Sequence, residues 1–178
     1  YADYWRGSVA EKQVISFGMD NAAEVQGTTL PTGMLVLTYN AESIEINLAL
    51  LGRHNQLNAL AAASAAIAVG ATLQDIKQGL ESLKPVNGRL NPFIGQQNTR
   101  LIDDTYNANP SSMKAAIDVL SEFTAGPRVL VLGDMGELGE DVNQLHSEIG
   151  AYAKAKQIDH MFCLGSHSVE AAKSFGGS

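Results

Sequence analysis

Residues 101–110 have the sequence LIDDTYNANP, in which an apolar strand pattern runs into a polar turn and stops where a helix begins. Pro110 needs no backbone donor in a first helical turn, and the serines that follow it can cap that turn. The polar residues of the stretch are therefore predicted to lie at the carboxyl end of a strand. In open α/β sheets, ligands bind in the crevice outside those strand ends.

The Asp-Asp-aromatic-Asn cluster in this stretch has two interpretations. Its side chains could orient ribose hydroxyls, a metal-bound phosphate or an attacking amine. The alternative is a capped loop whose acids and amides only satisfy backbone groups. Taken alone, the stretch favours the capped loop, so the choice depends on the rest of the chain.

Downstream of this stretch, strand and helix patterns alternate regularly. The predicted strands are 100–103, 129–132 and 160–164, and the predicted helices are 112–123, 141–154 and 168–175. Such alternation implies right-handed crossover units and a parallel sheet. The strand at 129–132 is apolar without alternation, which predicts cover on both faces. It ends in GDMGELG, a second loop at the carboxyl edge, which lacks the GxGxxG spacing of a dinucleotide site.

Upstream, the pattern changes once. Residues 14–50 alternate short apolar strands with turn residues, which predicts an antiparallel meander. After Gly52 the period becomes helical, with helices predicted at 55–69 and 73–83 and Thr72 as the cap of the second. Residues 84–90 contain Pro85, Asn87 and Gly88 and are predicted to be a linker. The predicted domains are therefore 1–87 and 88–178.

The amino-acid composition limits the classes of protein to which this chain can belong. The chain has 178 residues, 45% of them hydrophobic, which is enough for a sizeable core. Nineteen acids against twelve scattered bases give a net charge of -7, which argues against nucleic acid or an anionic membrane as the partner. No apolar stretch approaches the roughly 20 residues of a membrane span. The single cysteine, Cys163, excludes a disulfide framework and predicts a buried thiol in a reducing compartment.

The segment GRHNQLN at 52–58 is a candidate nucleobase site. His54 and Asn58 are four residues apart and Asn55 and Asn58 three apart, so all three can share one face at a helix start. A carboxamide offers one acceptor and two donors, which suits the edge of an adenine. Alternatively, these side chains cap the amino end of the helix.

Arg89 and the GDMGELG loop supply further candidates. The guanidinium of Arg89 follows a glycine in the linker and could fork onto phosphate oxygens, where it would stabilise charge on a transferred phosphoryl group; otherwise it is a solvated charge. Asp134 and Glu137 could hold the ammonium of an incoming amine or face water. His146, on the next helix, could turn toward that loop. No metal ligands are assigned in this chain.

Three motifs occur together and in one order: GRHNQLNALAAA at 52–63, DDTYNANPSSM at 103–113 and GDMGELG at 133–139. In these motifs the chain resembles the Mur ligase family over essentially its whole length, and most closely the members that add D-alanyl-D-alanine. The resemblance implies an α/β fold. Residues 1–87 would be the C-terminal part of the central ATPase domain, with antiparallel strands plus two helices. Residues 88–178 would be a truncated, Rossmann-like C-terminal domain with a mainly parallel sheet.

The resemblance also implies roles for the candidate residues, with ATP and Mg2+ as cofactors. Asn55 and Asn58 would lie at the adenine with His54 close by, Arg89 would contact the ATP phosphates, and Asp104 would meet the ribose or orient the phosphates. The acceptor side would be formed by Tyr106, Asn107, Asn109, Asp134, Glu137 and His146.

The implied activity is ATP-driven amide formation in peptidoglycan precursor synthesis by a cytoplasmic monomer. The carboxylate of UDP-N-acetylmuramoyl-tripeptide would be phosphorylated to an acyl phosphate, and the amine of D-alanyl-D-alanine would displace phosphate. This chemistry requires a P-loop and magnesium, yet the pattern GxxxxGK(S/T) is absent from the 178 residues. We therefore expect an inactive fragment that lacks the amino-terminal domain, the P-loop half of the central domain with most magnesium ligands, and the extreme C-terminus.

Two alternatives remain open at this point. A sister ligase could add a single amino acid to the muropeptide or glutamates to folate, although such relatives carry other residues at 106–109. A non-catalytic α/β module could bind a nucleotide or a partner without any reaction.

Overall fold

A computed structural model describes residues 4, 7–9 and 12–176. The chain divides into two compact units, Tyr1–Lys84 and Pro85–Ser178. The division lies within the predicted linker, three residues before the predicted boundary between 87 and 88. No helix in the described ranges is long and apolar enough to cross a membrane.

The first unit contains a four-stranded sheet in the order β1-β2-β3-β4. Its strands are β1 (Phe17–Gly18), β2 (Val25–Thr29), β3 (Leu35–Tyr39) and β4 (Glu42–Ile46). Strands β2, β3 and β4 form the predicted antiparallel meander, whereas β1 pairs with β2 in parallel. Asn40 and Ala41 join β3 to β4 with positive φ angles of 49° and 65°, as two-residue hairpin turns of type I′ require.

Two helices complete this unit, α1 (Arg53–Ala68) and α2 (Leu73–Glu81). The alternating apolar residues of the strands and the apolar face of α1 form one core that includes Val25, Leu35, Leu37, Ile46 and Leu60. The predicted cap of α2 is confirmed: the Thr72 side chain accepts from the Asp75 amide, and the Asp75 carboxylate accepts from the Thr72 amide.

The second unit alternates strands and helices as predicted. Its elements are β5 (Asn91–Ile94), β6 (Arg100–Asp103), α3 (Pro110–Ser121), β7 (Val129–Gly133), α4 (Val142–Ala155), β8 (His160–Leu164) and α5 (Ser168–Phe175). Strands β7 and β8 pair in parallel with α4 as the crossover helix. The predicted fold class, antiparallel strands with two helices followed by an α/β unit with a parallel sheet, is confirmed.

The position of β6 differs from the simplest sequence prediction. Among the described strands it pairs with β5, in antiparallel register, rather than with β7. A short turn closes this hairpin, with the amide of Gly95 donating to the Thr99 carbonyl at 2.8 Å. Closing so short a loop costs less conformational entropy than a crossover connection, which explains the local pairing.

Helices α3, α4 and α5 share one core with the β7–β8 pair, formed by Ile117, Leu132, Met135, Ile149 and Ala171, among others. The opposite face of these two strands is open: Val131 is 73% exposed and Leu164 is 81% exposed. The prediction that β7 is covered on both faces is therefore wrong for the part of the chain that is described. A continuous apolar sequence does not show whether one face or both faces of a strand are covered by other elements.

At Gly150, helix α4 lies so close to α5 that an added methyl group would overlap the backbone carbonyl of Ala171. A Gly150→Ala substitution is therefore expected to destabilise the second unit by about 1–3 kcal/mol, the usual cost of overpacking. Urea unfolding followed by helical circular dichroism measures this. Gly79→Ala is the matched control, because Gly79 lies in α2 with no atom within 4 Å of an added methyl group. It should stabilise by about 0.5–1 kcal/mol through helix propensity. Equal loss in both variants would contradict the packing explanation.

Candidate functional site

The linker before β5 is fastened to the end of β6 by side-chain carboxylates. Asp103 accepts a hydrogen bond from the Gly88 amide at 3.1 Å, and Asp104 accepts one from the Leu90 amide at 3.0 Å. In the opposite direction, the amide of Tyr106 donates to the Gly88 carbonyl at 3.0 Å. These three bonds bring the linker and the LIDDTYNANP loop into one local structure, which we call the linker knot (residues 88–90 and 103–106).

Two residues make the linker knot possible. Gly88 is buried and has a φ of 75°, and a side-chain carbon there would lie 3.1 Å from both the Cβ and the amide nitrogen of Tyr106. Glycine therefore meets both a conformational and a steric requirement at this position. Leu90 is only 6% exposed and anchors the other side of the linker.

Arg89 lies between these two anchors and is exposed. Its guanidinium carbon is 4.3 Å from the centroid of the Tyr106 ring, which is a cation–π distance. The Gly-Arg pair of the predicted linker thus presents a guanidinium that is stacked on Tyr106.

Asp103 belongs to the Asp-Asp-aromatic-Asn cluster, but the sequence did not indicate that it holds the linker. Hydrogen bonds from the Thr105 hydroxyl, the Thr105 amide and the Gly88 amide lower its pKa, against the opposing effect of burial. Asp103 therefore remains ionised at neutral pH and available to hold the linker. Its position directly before Asp104 was the only sequence signal of this role.

The two asparagines that follow have local partners. Asn109 is the N-cap of α3: its side chain accepts from the Ser112 amide at 2.9 Å, and the Ser112 hydroxyl accepts from the Asn109 amide. The capped-loop interpretation is therefore correct at this position, with Asn109 rather than a serine as the cap and Pro110 at the first turn as predicted. Asn107 accepts from the neighbouring Ala108 amide at 2.9 Å, and its exposed amide nitrogen remains available.

Asp134 in the GDMGELG loop also binds backbone amides. Its carboxylate accepts from Ser166 at 2.9 Å, His167 at 3.1 Å and Ser168 at 2.7 Å, at the start of α5. The bond from Ser168 is the largest cause that lowers the pKa of Asp134. Gly165 has a φ of 136°, and a side-chain carbon there would overlap the carboxylate. Asp134 thus joins two loops, and the proposed contact of its exposed carboxylate with an ammonium group stays a prediction.

His146 turns toward the same loop, as the sequence suggested, but it is fully buried. Its Nε2 accepts the Met135 amide at 2.9 Å, and its Nδ1 lies 2.7 Å from the Val142 carbonyl, to which it donates. A neutral ring protonated at Nδ1 satisfies both bonds. Both nitrogens are therefore used internally, and His146 supports the loop instead of touching an acceptor. Glu137, by contrast, is exposed, and no hydrogen bond or ion pair of the described residues involves it.

The three adenine candidates lie at the start of α1. The N-cap is Gly52, with a φ of 90° and no side-chain hydrogen bond, so the alternative that His54, Asn55 or Asn58 caps the helix is wrong. His54 and Asn58 are exposed, whereas Asn55 is half-buried and donates its side-chain amide to the Leu51 carbonyl at 2.7 Å.

Gln56, one residue further along α1, was not distinguished by the sequence. It is buried and links the sheet to the helix through Thr29 at 2.6 Å and the Gly33 carbonyl at 3.3 Å.

No group of three metal-binding side chains occurs in the described ranges. A cavity of about 520 Å³ lies at the amino ends of β7 and β8, the edge opposite the candidate loops, and it contains none of the predicted site residues. It is lined by Phe123, Thr124, Gly126, Pro127, Arg128, Asp159 and His160.

Comparison with protein families gives two matches along this chain. The family described as Mur ligase, glutamate ligase domain, matches residues 88–176, and the family described as Mur ligase middle domain matches residues 1–66. The chain belongs to the Mur ligase family. The resemblance found in the three sequence motifs is thereby confirmed.

Individual relatives of this Mur ligase chain carry a more specific name. It is 42% identical over 182 residues to UDP-N-acetylmuramoyl-tripeptide–D-alanyl-D-alanine ligase of Escherichia coli (strain K12), a match that covers 97% of the chain and 39% of that protein. The crystal structure of MurF from Acinetobacter baumannii superposes with a TM-score of 0.85 at 36% identity, covering 95% of this chain and 37% of that one. A MurF ligase from Thermotoga maritima, solved in complex with ADP, shares the fold with a TM-score of 0.78 at 23% identity, covering 95% and 40%. The chain thus spans about two fifths of the length of these relatives.

The hydrogen bonds that Asp134 accepts from the backbone amides of residues 166–168 should make the stability of this Mur ligase chain depend on pH. Because the pKa of Asp134 is lowered in the fold, its contribution is present above the ordinary aspartate value near 3.9 and is lost as the pH falls through the lower folded value. The unfolding midpoint of Asp134→Asn should therefore lie furthest below that of the wild type near pH 7, and the gap should narrow below about pH 4.

Ser166→Ala is the matched control for this experiment, since it removes only a hydroxyl and keeps the backbone amide that Asp134 accepts. It should retain the pH dependence of the wild type. A gap between Asp134→Asn and wild type that is the same at pH 3 and pH 7 would contradict the role of the ionised carboxylate.

Proposed function

We propose that this chain supplies part of the ATP site and part of the acceptor site of a ligase that joins D-alanyl-D-alanine to UDP-N-acetylmuramoyl-tripeptide in peptidoglycan precursor synthesis. The observation that carries the proposal is the linker knot, which holds an exposed, stacked Arg89 guanidinium and the Asp104 carboxylate in one local structure of a Mur ligase family member. A phosphate-binding cation next to a ribose-binding acid matches what a nucleoside triphosphate needs.

The nucleotide roles are divided between the two units in this proposal. Arg89 binds the ATP phosphates and stabilises the charge that builds during phosphoryl transfer. Asp104 uses one carboxylate oxygen for the Leu90 amide and offers the other to the ribose. Asn55, Asn58 and His54 form the adenine side, where His54 and Asn58 are exposed.

Magnesium has a limited place in the proposal. Mg2+ prefers carboxylate, phosphate and water oxygens and usually keeps several waters. We propose that the triphosphate and parts of the ligase beyond these 178 residues hold it, because no acid cluster is found among the described ones.

The reaction proceeds in two balanced steps. A carboxylate oxygen of the tripeptide attacks the γ-phosphorus of ATP, ADP leaves and an acyl phosphate forms. The amine of D-alanyl-D-alanine then attacks the acyl carbon, phosphate leaves and the amine loses a proton. On the acceptor side, Tyr106, Asn107 and Glu137 are exposed. Asn109 and Asp134 are exposed too but also bind loop amides, and the buried His146 supports its loop from within. We expect the ligase to work as a monomer in the cytoplasm.

A chimeric enzyme tests this proposal. The matching region of the E. coli ligase would be replaced by this chain, and ADP formation would be measured with both substrates present. The chimera should ligate D-alanyl-D-alanine, and Arg89→Ala should lower turnover by at least about 10²-fold, the effect of removing one transition-state contact. Near-normal turnover of a folded Arg89→Ala chimera would reject the role of Arg89. A folded chimera that accepts a single amino acid but not the dipeptide would favour a sister ligase.

The 178 residues by themselves should not catalyse ligation, because the sequence contains no GxxxxGK(S/T) phosphate loop. The isolated chain is expected to form no ADP with both substrates, and at most to bind ATP weakly. An ATP titration monitored by NMR, together with an ADP assay, measures both properties. Turnover by the isolated chain would contradict the requirement for that loop.

A further inference from the structure

The carboxylates of Asp103 and Asp104 bind the backbone amides of the two residues that flank Arg89, and neither forms an ion pair with its guanidinium in the described part of the chain. Asp103 directs one oxygen to the amide and hydroxyl of Thr105 and the other to the amide of Gly88. Asp104 directs an oxygen to the amide of Leu90. None of the ion pairs found among the described residues includes Arg89, and its contact there is with the ring of Tyr106. The guanidinium is therefore stacked on a neutral ring and is not paired with a carboxylate.

We propose that Tyr106 is a positioning residue: its ring holds the Arg89 guanidinium in place while leaving its charge and its N–H donors available for the phosphates of ATP. This inference rests on the proposed function and gives Tyr106 a role beyond the acceptor side.

The physical reason is the difference between two kinds of partner. A carboxylate would take two of the five guanidinium N–H donors and neutralise the charge. An aromatic face attracts the cation through its quadrupole, and the N–H bonds in the plane of the guanidinium stay free. A stacked arginine also has fewer rotamers to lose when an anion binds. A neutral ring is thus the better support for a cation that must bind phosphate.

The ring is itself well placed by the backbone. The Tyr106 amide donates to the Gly88 carbonyl, and its Cβ lies against the space beside the Gly88 Cα that any larger residue would fill. Tyr106 remains 68% exposed, and its hydroxyl makes no hydrogen bond within the described part of the chain. The support should therefore depend on the ring and not on the hydroxyl.

NMR of the isolated chain tests the stack directly. The side-chain protons of Arg89 should be shifted upfield by the ring current in the wild type and in Tyr106→Phe, and the shift should disappear in Tyr106→Leu. Arg89 protons at random-coil positions in the wild-type chain would overturn the inference. Circular dichroism checks that each variant is folded, as expected for substitutions at the exposed position of Tyr106.

Kinetics of the chimeric ligase test the consequence. Tyr106→Leu should lower kcat/KM for ATP about threefold to fivefold, which corresponds to the loss of an exposed cation–π contact. Tyr106→Phe should keep most of the wild-type kcat/KM. Tyr106→Glu should lower kcat/KM further, because the new carboxylate would neutralise Arg89.

In an Arg89→Ala background, Tyr106→Leu should have no additional effect on kcat/KM. Phe93→Leu is the matched control, since Phe93 is an exposed aromatic residue of the same unit without a stacked cation among the described residues, and it should leave kcat/KM unchanged.

The outcomes separate the two proposals. A large loss in Arg89→Ala with normal kinetics in Tyr106→Leu overturns the positioning role alone. Normal kinetics in Arg89→Ala overturns the proposed function of the site. Equal losses in Tyr106→Phe and Tyr106→Leu overturn the positioning role, because they would make the hydroxyl responsible.

Discussion

The carboxylates of Asp103 and Asp104 bind backbone amides of the linker, and this constraint determines where Arg89 can lie. Charged acceptors form stronger hydrogen bonds with amides than neutral ones do, so the short linker is held at two positions on either side of the arginine. Without these bonds, a linker that contains proline and glycine would sample many conformations. The site depends on this local order more than on any large core.

The GDMGELG loop uses the same kind of interaction. Asp134 binds three successive amides at the start of α5, where the helix dipole also favours a negative charge. His146 fixes the same loop from within the core through the Met135 amide. Polar residues at both strand ends thus divide into two groups. One group binds backbone groups and holds the loops in place. The other group is smaller and includes Arg89 and Glu137, whose exposed side chains have no carboxylate or amide partner in the described structure.

Much of this organisation could be predicted from the sequence. Periodicity indicated the order of helices and strands, and three motifs in one order identified the Mur ligase family, because spacing and residue type are local properties. The loop-holding roles of Asp134 and His146 could not be predicted, since the amides that Asp134 binds lie 32–34 residues away and the Met135 amide that His146 binds lies 11 residues away. For Asn109, the same residue type suits a ligand and an N-cap, and only coordinates separate them. The exposed face of β7 was missed because an apolar run is compatible with one or two covering layers.

The central claim is that the Arg89 guanidinium, held in the linker knot, meets the phosphates of ATP. A crystal structure of the chimeric ligase with magnesium and a non-hydrolysable ATP analogue measures this most directly. The account predicts guanidinium nitrogens about 2.7–2.9 Å from phosphate oxygens, Asp104 at the ribose, and Asn55 and Asn58 at the adenine. A nucleotide bound with its phosphates away from Arg89 would contradict it.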